Sequence, residues 1–190
     1  MPGDSEQPKD ERSDEQLMAA YVAGDERAFR VLFDRYGPVL FRLVRRRLRT
    51  DDEARDIVQT TLLHMHRARH DFRHDSRLRP WLFTIALNLV REHYRRRGRR
   101  KEQPLEIDGY SPAEPTVQPG TPIEDRQRAE RLHAALASLP ENQRTVIELH
   151  WFGDSPYEEI ARIVGASVAA VRVRAHRGYE RLRKILPENE

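Results

Sequence analysis

The 190 residues contain no cysteine, which removes disulfides, thiolate metal sites and cysteine nucleophiles from consideration. Long apolar runs are missing too: no stretch approaches the roughly 20 residues that a membrane-spanning helix needs. The chain starts MPGDSEQPKDERSDEQ, acidic and polar where a signal peptide would carry a basic start and an apolar segment. A soluble, cytoplasmic protein without membrane insertion is the expectation. No segment alternates apolar and polar residues as a half-buried strand would, and no internal repeat is visible. The fold class expected is therefore all-α.

Charge is plentiful but nearly balanced. Asp, Glu, Lys and Arg make up 34% of the chain, yet the formal net charge is only +3, so distribution matters more than total. Arg45, Arg46 and Arg47 form one basic cluster, residues 91–101 a denser one, and arginines recur between Arg172 and Lys184. Separated basic patches suit phosphate binding, because each neutralised phosphate releases counterions. Solvated helix faces would produce similar runs.

Periodicity divides the chain. Residues 1–12 lack apolar period and read as a disordered tail. Ser13 with Gln16 makes a capping box, Gly24 can end that helix, and Asp25 can cap the next. Ala28, Phe29, Leu32, Phe33 and Tyr36 follow at helical spacing, and Pro38 suits the first turn of a further helix carrying Val39, Leu40, Leu43 and Val44. Asp51 and Asp52 open a segment with Ala54, Ile57, Val58, Thr61, Leu62 and Met65 on one face. A polar loop over 72–80 precedes a helix with Leu82, Ile85, Ala86 and Leu89 inward. Residues 13–99 thus read as one helical domain. Prolines 104, 112, 115 and 119, with acids Glu102, Glu106, Asp108 and Glu114, mark 100–122 as an extended linker. A second helical domain is expected over 123–188, with Leu132, Leu136 and Leu139 on one face.

The most informative stretch covers 154–184. Ser155 reads as a cap with Pro156 at the first helical position and Glu158 closing a capping box. Ile160, Ala161 and Val164 give a short apolar face, Gly165 permits a tight turn, and Ser167 caps the next helix. Two helices joined by a Gly-containing turn is the helix-turn-helix pattern, although an ordinary helical hairpin shares it. On a wheel of about 100° per residue, Val171, Ala175, Gly178 and Leu182 form the core stripe. Ala169, Arg172, Val173, His176, Arg177 and Glu180 then face away, small at the start and hydrogen-bonding farther along. A helix entering a major groove needs that profile. Arg174 and Arg181 sit at the margins, where phosphates would lie.

Together these motifs resemble the extracytoplasmic-function (ECF) group of the sigma-70 family of bacterial RNA polymerase sigma factors, over about residues 14–186. DEARDIVQTTLLHMHRA (52–68) is similar to the family's polymerase-binding segment, and PWLFTIALNLVREHYRRRGR (80–99) to its promoter-melting segment. SLPENQRTVIELHWFGDSPYEEIARIVG (138–165), followed by AVRVRAHRGYERLR (170–183), is similar to its minus-35-reading domain. Departures are Thr60 for a usual Glu, His66 for a frequent Trp, Leu87 for a basic or small residue, and Val173 for a hydroxylated one.

The resemblance implies a sigma factor for transcription initiation, not an enzyme, with no cofactor and no metal. Asp56, Gln59 and Leu62 would face the coiled coil on the clamp of the polymerase's largest subunit, and the second domain the flap of the second-largest. Phe72, Arg73, Arg77, Arg79, Asn88, Arg91 and Arg95 would handle the minus-10 element: Phe72 as a stacking surface, Asn88 at a base edge, the arginines at phosphates. Trp81 reads as core. Arg172, Val173, Arg174, His176, Arg177 and Arg181 would read the minus-35 element. The linker would follow polymerase's RNA path. No large domain follows Leu186, so control by a separate anti-sigma factor, which could hold the protein at the membrane, is expected.

Two other classes fit parts of the chain. A dimeric helix-turn-helix operator binder explains 155–184 but not the basic, aromatic loop and helix of the first domain. A metal enzyme would use His64, His66, His70 and His74, of which His66 and His70 have i, i+4 spacing, yet no His-Glu-x-x-His motif accompanies them.

Overall fold

Helix signals in the sequence become eight α-helices and one 3-10 turn in a computed structural model, which describes residues 10–72, 76–100 and 123–186. The order is α1 (Asp14–Val22), α2 (Glu26–Arg45), α3 (Asp51–Arg67), the 3-10 turn (Arg69–Asp71), α4 (Leu78–Arg100), α5 (Ile123–Ala137), α6 (Glu141–Trp151), α7 (Tyr157–Val164) and α8 (Val168–Ile185). No strand occurs among the described residues. The expected linker lies almost wholly outside them, as do residues 1–9, 73–75 and 187–190.

Local capping chemistry sets most boundaries. Ser13 and Gln16 form the capping box of α1, and Asp25 accepts from the backbone N–H groups of Arg27 and Ala28 at the start of α2. Thr50 and Glu53 form a second capping box, on α3, ahead of the acids that had marked that start. Gly165, at φ +62°, ends α7 in the left-handed conformation that a residue with a Cβ adopts only at a cost. Ser167 caps α8 through the N–H of Ala170 at 3.2 Å.

Four expectations need correction. Pro38 does not begin a new helix; it lies inside the 20-residue α2. Leu32, Tyr36, Leu40, Leu43 and Val44 form one continuous buried stripe across it, and packing along that stripe outweighs the backbone hydrogen bond a proline cannot donate. Ser155 caps nothing: the N-cap is Pro156, and the Ser155 hydroxyl donates instead to Glu159 at 3.0 Å. Leu132 stays exposed while Leu136 and Leu139 are buried. Residues 10–12 are tied down rather than loose, since Arg35 donates to the carbonyls of Asp10 and Arg12, and Arg12 pairs with Asp25 at 3.0 Å.

The two domains do not sit apart. Helices α1–α4 bury Leu17, Met18, Leu40, Met65, Leu82 and Phe83, and the same core continues into Val146, Leu149, Ile160 and Val171 of the second domain. A smaller cluster of Leu136, Leu139 and Ile147 lies under α5. Helix α7 packs on α4, and the α6–α7 turn approaches closely enough to exclude a side chain at Gly153. A Cβ there would lie 2.7 Å from the Leu149 carbonyl oxygen and 3.0 Å from the Phe83 ring. Replacing Gly153 by Ala is expected to cost about 1–3 kcal/mol through forced repacking, measurable as a lower urea midpoint. An unchanged midpoint would place the Phe83 contact outside the folded state in solution.

Candidate nucleic-acid interface

Helix α8 presents two faces. Val171, Ala175 and Gly178 are buried against α6 and α7, while Arg172, Val173, His176, Arg177 and Arg181 are exposed and Arg174 is half-buried. Val173 is 49% exposed, a large value for an apolar side chain on a short domain. Arg172 Nη2 lies 3.3 Å from Glu158 of α7, so the outer face of the turn's second helix is tied to the first helix. The wheel-derived face is the solvent-facing one.

Of the expected minus-10 residues, Phe72, Arg77 and Arg79 lie around the start of α4, whereas Asn88, Arg91 and Arg95 follow farther along it. Phe72 and Trp81 pack ring to ring, centroids 5.3 Å apart, both half-buried, beside a recess of ≈ 680 Å³. Arg77 is exposed at its rim, 3.9 Å from Glu15. Asn88 is exposed and accepts from Arg91 Nη1 at 2.9 Å, while Arg95 and Arg96 share Glu92. Arg73 and His74 lie outside the described residues. Arg79 is differently employed: it donates to the carbonyl of Gly153, lies 3.1 Å from Glu159 and sits over the Phe83 ring. Arg162 of α7 reaches the same recess.

On α3, Asp56 and Gln59 are exposed, as expected of a docking face. Leu62 is not: it is 3% exposed and belongs to the core. The exposed apolar side chain beside Asp56 and Gln59 is Leu63, at 41%, one residue and about 100° further round the helix. Thr60 is half-buried, and Leu87 is packed in the core. Of the histidines, His66 bonds the Tyr21 hydroxyl. No group of three or more metal-capable side chains occurs among the described residues.

The Arg45–Arg47 cluster, read as phosphate-binding, is spent inside the protein. Arg45 pairs with Asp51, and Arg46 lies over Phe152, its Cζ 3.4 Å from the ring centroid. Arg47 is only 3% exposed. It pairs with the fully buried Glu148, reaches Glu141 at 2.7 Å and donates to Thr145 at 2.9 Å; its backbone carbonyl accepts from Tyr94. Burial opposes the charge on Arg47, but Glu148 and Glu141 outweigh it and hold the guanidinium above its ordinary value. Burial likewise acts to raise Glu141, and Arg47 and Arg144 overcome it, so that carboxyl sits below the usual range. His133, buried beside Arg46, is pushed below 6.5 by desolvation.

Residues 32–100 match the family Sigma-70 region 2, and residues 129–182 match Sigma-70, region 4. The chain is 35% identical over 176 residues to the ECF RNA polymerase sigma factor SigM of Mycobacterium tuberculosis, covering 93% of this chain and 86% of that protein. It is 34% identical over 176 residues to the RNA polymerase sigma factor CarQ of Myxococcus xanthus, covering 91% and 97%. This chain belongs to the ECF sigma factors of the sigma-70 family. Among solved structures, it resembles CnrH in complex with the cytosolic domain of CnrY, with a TM-score of 0.71 and 28% identity over 93% of this chain and 99% of that one. It also resembles the sigma factor RpoE of Bartonella quintana in complex with the anti-sigma factor NepR, at TM-score 0.68 and 26% identity over 85% and 98%. Sigma factors direct RNA polymerase in transcription initiation, and promoter binding by a helix-turn-helix domain accords with the exposed face of α8.

Sequence reasoning missed how this sigma factor joins its domains. Arg47 is 94 or more residues from Glu141, Thr145 and Glu148 across the junction, and nothing local marks them as partners. The only available hint was a Glu flanked by apolar residues in VIEL (146–149), a carboxylate on what must be a buried face. Removing one member of a buried pair leaves the other charge desolvated, a loss of about 3–5 kcal/mol. Arg47→Met is therefore expected to release the second domain, so that scattering gives a radius of gyration above the roughly 16 Å of a packed chain this size. Arg47→Met with Glu148→Leu should restore compactness. Both depressed groups bind fewer protons when docked, so docking is strongest above their ordinary values. It should weaken as pH falls, first below 6.5 as His133 charges, then below 4.5 as Glu141 is neutralised. A compactness independent of pH between 7 and 4 would contradict this.

Proposed function

We propose that the chain, acting without catalysis of its own, reads the minus-35 promoter element with the outer face of α8 and the minus-10 element with the Phe72–Trp81 recess and α4. The observation that carries this is the helix-turn-helix itself: a left-handed Gly165 turn, a capped α8, and an exposed face of Arg172, Val173, His176 and Arg177 opposite a buried stripe. Arg174 and Arg181 flank that face at phosphate positions. Phe72 offers a stacking surface, Asn88 an amide for a base edge, and Arg77, Arg91 and Arg95 charge for the strand. Arg73 would join them. The domains are read as 13–99 and 123–188, with 100–122 between, a division supported by the end of α4 at Arg100 and the start of α5 at Ile123.

Docking to core polymerase is assigned to Asp56 and Gln59 with Leu63 as the apolar anchor, against the clamp coiled coil, and the second domain to the flap. Residues 100–122 would follow the RNA path. The relatives seen in complex with CnrY and NepR support control by an anti-sigma factor, which could keep this cytoplasmic protein at a membrane. No described helix is long and apolar enough to cross one.

The packed arrangement is a resting one. Promoter elements centred about 25 base pairs apart are separated by roughly 85 Å at 3.4 Å per base pair, about twice the diameter of a packed chain of this size. Arg79 is also occupied by Glu159 and Gly153, and Arg162 lies at the Phe72 recess. The 22 residues of 101–122 span at most about 75 Å, enough to let the domains separate onto DNA.

Charge reversal at Asp56 tests polymerase docking: Asp56→Arg is expected to weaken holoenzyme formation about tenfold or more while leaving the helical circular dichroism intact. Equal core affinity would remove the assignment. For promoter reading, the comparison is between arginines. Arg172→Ala and Arg177→Ala should relax preference at particular base pairs, each by about 1–3 kcal/mol of discrimination if paired bidentately with guanine. Arg181→Ala should weaken all sites alike and lower the salt dependence. Holoenzyme binding across a library of minus-35 variants at two salt concentrations distinguishes them; uniform losses in all three would mean that α8 does not read bases through these side chains.

A further inference from the structure

The recess at Phe72 and Trp81 is walled by both domains. Asp71, Ser76, Arg77 and Thr84 come from the first, and Arg162 of α7 comes from the second. The two walls meet at Thr84, whose Oγ1 donates to the Pro80 carbonyl at 2.8 Å and lies 3.4 Å from the carbonyl oxygen of Ile163. At ≈ 680 Å³ the space falls within the roughly 300–1,000 Å³ typical of small-molecule sites. It is complete only while the domains are packed.

Arg162 is the feature that calls for an occupant. On α7 the acids within helical reach of it are Glu158, four residues back, and Glu159, three back. Glu158 is held by Arg172 at 3.3 Å and Glu159 by Arg79 at 3.1 Å. Arg162 is exposed and forms no ion pair among the described residues. In the other wall, Arg77 finds only Glu15 among those residues, at 3.9 Å, the outer limit of an ion pair. Two guanidinium groups, one from each domain, thus line a common space with little counter-charge.

The rest of the wall is aromatic: Phe72 and Trp81 are both half-buried, their centroids 5.3 Å apart. Such rings stack on any base, and guanidinium groups hold phosphates. Asp71 is the discriminating group. Its carboxylate repels an anion placed beside it, but it can accept from ribose hydroxyls, the use that dinucleotide sites make of an acid. DNA lacks the 2′-hydroxyl, so this acid favours a ribonucleotide over a promoter strand.

We infer that the packed chain binds a free ribonucleoside monophosphate in this recess, its base against Phe72 and Trp81, its ribose at Asp71 and its phosphate between Arg77 and Arg162. Because Arg162 leaves with the second domain, the ligand binds the packed form more tightly than the open one and holds the factor at rest. The inference rests on the reading of the packed arrangement as the resting one.

Calorimetric titration of the full chain with AMP, dAMP and adenosine tests it, with X-ray scattering of the same samples. Wild type should bind AMP about tenfold or more tightly than adenosine, which has no phosphate, and Arg162→Gln should lose most of that difference. Asp71→Ala should erase the preference for AMP over dAMP. Arg47→Met should bind AMP more weakly than wild type does, and saturating AMP should return it toward the wild-type radius of gyration. Equal AMP affinity in wild type, Arg162→Gln and Arg47→Met would put the ligand on the first domain alone, which overturns this inference and leaves the packed resting form standing. Equal affinity of wild type for AMP and dAMP overturns it too, and so does an absence of AMP binding at millimolar concentration. A wild-type chain already extended without ligand removes the packed form itself, and the inference with it.

Discussion

A guanidinium with almost no access to water, lodged between two helical domains and matched by a carboxylate that is equally buried, determines how the rest of this molecule is arranged. Arg47 lies just past the end of the long α2 of the first domain, and Glu148 sits within α6 in the second. Each charge would be costly alone at that depth. Around this pair the junction becomes a shared core rather than a touching of surfaces. Tyr94 fixes the Arg47 carbonyl, Arg46 covers Phe152, and Phe83 fills the space that Gly153 leaves open.

An ion pair is well suited to a junction that must come apart. Apolar surfaces of the same size are penalised once they are exposed to water, so separating them has no compensation. Two charges regain their hydration on separation, which offsets much of what the pairing had contributed. A packed pair built this way is specific when closed and inexpensive to open. Arg79 takes part in the same economy: the side chain that binds Glu159 in the packed form is one that faces DNA in the proposed open form.

Much of this was legible along the chain, and the failures have physical reasons. Ser13, Asp25, Gly165 and Ser167 act through neighbours within a few residues, so their roles could be read directly. The wheel of α8 was reliable because Val171, Ala175 and Gly178 define a core stripe with no competing apolar face. Pro38 misled because its local preference was overruled by a buried stripe that runs from Leu32 to Val44, over more than three helical turns. Leu62 and Leu63 differ by a single position, and adjacent leucines leave the helical phase ambiguous until the packing is known. Arg45, Arg46 and Arg47 misled most. A run of arginines looks the same whether its counter-charges are phosphates or carboxylates, and those of Arg47 are close to a hundred residues away.

The contact between Arg172 and Glu158 bears on selectivity in a way that neither helix would suggest singly. A bare guanidinium on an exposed helix attracts any phosphate that drifts near, and so contributes to binding regardless of sequence. Arg172 arrives already accompanied, held at 3.3 Å from a carboxylate on the preceding helix. An approaching anion must displace that carboxylate and leave it close by, so loose encounters with a sugar-phosphate backbone gain little from this side chain. A guanine edge offers two acceptors without a full negative charge beside Glu158, and it does not meet the same repulsion. If α8 reads bases as proposed, the built-in counter-charge would act as a threshold, suppressing indiscriminate adhesion to genomic DNA more than it suppresses a well-matched site.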